Sequence, residues 1–167
     1  MANDKTLEIL KEAILLERRG HAFYQKMADH ARNNATREFF QVMANEELRH
    51  QKVMEAQFKS YKEKARFTEV ELTAGADPAL SDLVLTDTLK AKIAAAGFEA
   101  AAISAAMHME EETISLYAHR AVAAQDPKEK ALFRWLADWE YSHLTFLAKL
   151  DREIKASIWE DNHFWPM

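Results

Sequence analysis

Cysteine is absent from all 167 residues, which excludes disulfide frameworks, thiolate metal sites and iron–sulfur centres. Any metal held by these residues must be held by histidine and carboxylate. Glycine and proline are almost as scarce, at three each. That leaves too few turn residues for a many-stranded sheet, and the abundance of Ala, Leu, Glu and Lys favours helix. There is no apolar run of about 18 residues, so no segment is expected to span a membrane. The opening MANDKTLEILKE lacks the basic start and apolar stretch of a secretory signal, and a cytoplasmic setting is the expectation. A formal net charge of −5, without clustered Lys and Arg, argues against nucleic-acid binding and serves solubility.

What is present is helical period, in a chain short enough for one compact domain. The expected helices cover 4–32, 35–62, 98–124 and 127–155. Loops of two or three residues around Asn33 and Asp126 make each outer pair an antiparallel hairpin, 4–62 and 98–155. The second junction has a start signal: Asp126 as N-cap, Pro127 at the first helical position and Glu129 three residues after the cap. A crossover of residues 63–97, with a short helix expected near Thr86 to Ala95, is long enough to traverse the bundle. It would make the second and third helices parallel. Residues 156–167 form an aromatic tail, in which Trp159, Phe164 and Trp165 are expected to cover a groove or a dimer surface.

A shift of 93 residues lays the first hairpin on the second without a gap. Glu17 falls on Glu110, Tyr24 on Tyr117, Phe40 on Phe133, Glu47 on Glu140 and His50 on His143. On the last helix Phe133, Leu136, Glu140, His143, Leu147, Leu150 and Ile154 step by threes and fours, so they share one face. The second helix repeats the pattern with Phe40, Met43, Glu47, His50 and Met54. The first carries Leu10, Ile14, Glu17, His21 and Tyr24, and the third Ile103, Met107, Glu110, Ile114 and Tyr117.

Depth along the helices agrees with face. Glu17 and Glu110 precede the turn centres at 33 and 126 by 16 residues, and the Glu-x-x-His pairs follow them by 14 and 17. At a rise of about 1.5 Å per residue all six side chains reach one level. Burying four carboxylates with no counter-charge costs several kcal/mol for each, and no Lys or Arg interrupts the stripes to pair with them. Two divalent ions would neutralise four Glu, with two imidazoles completing the sites. One Glu from each of two helices plus Glu-x-x-His from each of two others is the ligand pattern of ferritin-like di-iron and di-manganese proteins.

The segments LLERRGHAFY, FFQVMANEELRHQKVM, MHMEEETISLY and LFRWLADWEYSHLTFL resemble the rubrerythrin branch of the ferritin-like superfamily. The resemblance implies an all-α, ferritin-like four-helix bundle holding two iron ions, with manganese or zinc as other occupants of the same donors. It makes Glu17 and Glu110 terminal or bridging ligands, beside the pairs Glu47 with His50 and Glu140 with His143. Tyr24 and Tyr117, two turns beyond the single Glu residues, then look like phenols that hydrogen-bond ligands, their plainer reading being core aromatics. Rubrerythrins also have a second Glu on the third helix, three residues after the first. Here that position is Thr113, its repeat mate is Gly20, and Glu111 and Glu112 point by helical angle to the surface. The family's ligand exchange is therefore not carried over. His21 and His108, near the ligand level, read as packed groups or as partners of the ligands rather than as ligands. His30, His119 and His163 read as peripheral, and Glu46 and Glu111 read equally as added negative charge that attracts cations or as part of a solvated face.

In function the resemblance implies a non-haem di-iron oxidoreductase that reduces hydrogen peroxide or uses dioxygen, in a homodimer. Without cysteine the chain has no iron centre of the rubredoxin type, so electrons are expected from an external, rubredoxin-like donor. Ferritin-like iron oxidation and storage, manganese catalase, and a metal-binding structural or sensor module are the competing readings.

Overall fold

The computed structural model describes residues 4–69 and 97–160, with side chains to residue 156. Its elements are α1 (Asp4–His30), α2 (Asn34–Lys64), α3 (Phe98–Ala123) and α4 (Pro127–Glu160). The helix expected near Thr86 to Ala95 and the residues His163, Phe164 and Trp165 lie outside the described residues, as does the side chain of Trp159. Residues 156–160, expected in the tail, continue α4 instead.

Local chemistry sets the ends of these helices. Asn33 caps α2, its side chain accepting from the Thr36 amide at 2.9 Å. Asp126 Oδ1 accepts from the Lys128 amide at 2.8 Å as α4 begins at Pro127. Glu129, expected to close a capping box there, is buried and accepts from Arg120 Nε at 2.6 Å, tying the end of α3 to the start of α4. α2 stops at Ala65, whose φ of 51° is left-handed and whose amide bonds back to Tyr61. The chain then doubles back, and Gln57 both donates to Thr68 Oγ1 and accepts from its amide, each at 3.1 Å.

Contacts between helices fix their directions. Tyr24 of α1 donates to Glu110 of α3 while Tyr117 of α3 donates to Glu17, which makes α1 and α3 antiparallel. Since α1 with α2 and α3 with α4 are tight hairpins, α2 and α3 run parallel. This is the topology of a ferritin-like bundle; the expected crossover lies largely outside the described residues.

The core is divided. One apolar layer gathers Tyr24, Phe40, Met43, Ile103, Leu147 and Ile154. The other gathers Leu10, Met54, Tyr117, Leu132, Phe133 and Leu136. Between them, in residue order along every helix, lies the level of Glu17, Glu47, Glu110 and Glu140. These are side chains that two hydrophobic layers wall off from water.

Candidate metal centre

Each helix brings its carboxylate inward because its apolar stripe must face the core, and the polar residue in that stripe is carried with it. Glu17, Glu47, Glu110 and Glu140 are at most 4 % exposed, and His50 and His143 are fully buried. Their atoms meet about one residue. Glu140 Oε1 is 2.8 Å from His50 Nδ1, and Glu140 Oε2 is 2.9 Å from His143 Nδ1. Glu17 Oε2 lies 3.3 Å from the first nitrogen, and Glu47 Oε1 lies 3.2 Å from the second. The two imidazoles stack with centroids 5.8 Å apart.

Close as they are, these atoms do not hydrogen-bond one another. Glu17 Oε2, Glu47 Oε1, both oxygens of Glu140 and the Nδ1 atoms of His50 and His143 are buried with no hydrogen-bond partner. Buried oxygens and nitrogens that converge at under 3.5 Å without hydrogen-bond geometry suit a shared cation. The donors divide into two groups, Glu17, Glu47, His50 and Glu140, and Glu47, Glu110, Glu140 and His143, with one ligand atom of each member within 4.8 Å of the others. Glu47 and Glu140 belong to both groups, whereas Glu17 and Glu110 each belong to one.

Charge gives the same answer. Burial, and then the charge of Glu140, raises Glu17 and Glu110 above the ordinary carboxylate range and pushes Glu47 up to about 8. Burial opposes charge on His50 and His143 too, but the carboxylates around them, Glu140 first, outweigh it and hold both well above the usual imidazole range. Burial also opposes charge on Glu140, yet the two flanking imidazoles overcome it and lower its pKa. Without metal, protons are the cations of this cluster. Four carboxylates and two neutral imidazoles fit two divalent ions, which would displace those protons.

Tyr24 and Tyr117 donate to Glu110 and Glu17. Burial, then the neighbouring carboxylates, raises both phenols well above their ordinary range, so they remain donors. His21 is half-buried, with Nδ1 2.8 Å from the Ala44 carbonyl oxygen, a packed group. His108 is not packed as expected; it stands in solvent beside Glu111 and Glu112, because its helical angle turns it away from the stripe. Those two acids are exposed, and neither replaces the missing Glu on α3. Thr113 is buried and donates to the Met109 carbonyl oxygen at 3.0 Å.

Of the two readings of Glu46, the solvated face is the one that burial removes. It is 4 % exposed and accepts from His143 Nε2 at 2.5 Å and from Trp139 Nε1 at 3.2 Å. A signal was available. Phe39, Met43, Glu46 and His50 step by four, three and four, and the repeat mate of Glu46 is the core aromatic Trp139.

The family model described as Rubrerythrin matches residues 8–151. No curated protein and no solved structure matches the chain significantly.

Proposed function

The chain belongs to the rubrerythrin family, and from that premise we propose that it is a di-iron oxidoreductase reducing hydrogen peroxide with electrons from a donor outside these residues. The observation that carries this is the pair of donor groups joined through Glu47 and Glu140. Glu17 and His50 would hold one ion and Glu110 and His143 the other. Two ferrous ions so held would supply the two electrons that, with two protons, reduce peroxide to two waters. The chain's own part is to position and insulate. Tyr24 and Tyr117 fix the outer carboxylates, and the two apolar layers keep bulk water from the donors, which strengthens every charge interaction between them. We place the protein in the cytoplasm as a homodimer, served by a rubredoxin-like carrier. Among the described residues no helix is long and apolar enough to cross a membrane.

The test is a rapid-mixing experiment under anaerobic conditions. One equivalent of peroxide should oxidise both irons of the ferrous-loaded protein once, and further turnovers should require a reductase and rubredoxin-like carrier. His143→Ala should weaken both steps. Oxygen release from peroxide without a donor would identify a manganese catalase instead. A native mass far above twice 19.2 kDa would point to a storage shell.

A further inference from the structure

The internal repeat is nearly symmetrical at the ligands and fails just behind them. Each imidazole presents Nδ1 to the cluster and turns Nε2 outward. His143 Nε2 donates to the buried carboxylate of Glu46 at 2.5 Å. At the equivalent place behind His50, a shift of 93 residues puts Trp139. His50 Nε2 is buried without a hydrogen-bond partner among the described residues. Its ring instead meets Trp139 and Trp135 edge to face, with centroids 5.2 and 5.7 Å apart. Trp139 also donates to Glu46, so one tryptophan both fills the place of His50's partner and secures the partner of His143.

A carboxylate behind a ligating histidine fixes the tautomer that leaves the other nitrogen free for metal, and it makes that nitrogen more basic. An aromatic wall does neither. From this broken pair we propose that the two metal positions are unequal: Glu46 is a positioning residue that makes the Glu110–His143 position the tighter, and the Glu17–His50 position fills second and empties first. The proposal rests on the dinuclear reading above and adds an order to it. The weaker position is then the one from which an ion is lost on mild chelation.

Cobalt(II) tests this without any turnover. Crystals of metal-free protein given one equivalent per chain should show, by anomalous scattering at the cobalt edge, at least fivefold higher occupancy beside His143 than beside His50. A solution titration followed by cobalt absorption should show two steps. Glu46→Gln keeps the shape and removes the charge. It should lower affinity at the His143 position on the order of tenfold and bring the two occupancies together. Equal filling in the unaltered protein, or filling beside His50 first, overturns the proposal, and this arm needs no variant to fold. An unchanged order in Glu46→Gln overturns the role of Glu46. Absence of cobalt from both positions removes the dinuclear reading itself, and the order with it.

Discussion

Gly20 and Glu46 each stand directly against the buried cluster, Gly20 beside Glu47 and Glu46 behind His143. A Cβ built on Gly20 would stand 2.5 Å from Glu47 Oε2, so this glycine makes room for the Glu47 carboxylate. The obstruction is the end of a side chain and not backbone, so Gly20→Ala should leave the helices in place and displace Glu47 alone. We expect metal affinity to fall roughly tenfold while the metal-free protein melts within a few degrees of the unaltered one. Competition against a chromophoric chelator measures the first and calorimetry the second. Unchanged affinity would mean that Glu47 is not a ligand. The repeat mate Thr113 has a side chain where Gly20 has none, so the repeat, here as at Glu46 and Trp139, keeps the ligands alike and varies their support.

Among the elements, two helix ends can be weighed against each other. Asn33→Ala removes the side chain that accepts from the Thr36 amide and should cost about 1 kcal/mol. Ala65 lies at the other end of α2 with φ 51°, a region that costs an L-residue about 1–2 kcal/mol and glycine almost nothing. Ala65→Gly recovers that strain but loosens the unfolded chain by about 0.4–1 kcal/mol. A net gain of about 0.5–1 kcal/mol is expected. Urea denaturation of the two variants checks both signs, and a loss at Ala65→Gly would show that the chain leaving α2 is not held in this turn.

Over the whole molecule, the buried cluster couples stability to pH and to metal. In the metal-free protein Glu47 is raised from 4.5 to about 8, Glu17 and Glu110 are raised with it, and His50 and His143 are raised from 6.5. Between about pH 4.5 and 8 the folded chain therefore binds more protons than the unfolded one, and stability must fall as pH rises through that window. Glu140 is shifted the other way, so its contribution is complete above 4.5 and is lost only as the pH drops below. The chelated protein should accordingly lose Tm steadily from pH 5 to 8.5. The gap to the metal-loaded protein should widen over the same range, as ions replace protons. Glu47→Gln should flatten the slope. A metal-free Tm that is flat or rises with pH would place these carboxylates in solvent.

The inward cluster of carboxylates and histidines was legible because helical period converts spacing into direction: a Glu or His inside an apolar stripe must go where the stripe goes. The 93-residue repeat fixed the common level, and the short loops at 31–33 and 124–126 fixed the hairpins. The parallel course of α2 and α3 followed from the length of chain between them. Beyond one helix, period says nothing. Which carboxylates bridge depends on how four stripes meet, and the resemblance left Glu17 and Glu110 open to that role while the packed bundle puts Glu47 and Glu140 between the two donor groups. Glu46 leaves two readings open on its own helix, and its contacts with Trp139 and His143 of α4 decide between them. His108 reads as packed from its level and is exposed because its helical angle turns it away from the stripe. The sequence by itself determined which side chains face inward and at what depth. Only the tertiary structure decided which inward groups share a neighbour, because that depends on contacts between helices that no periodicity within one helix encodes.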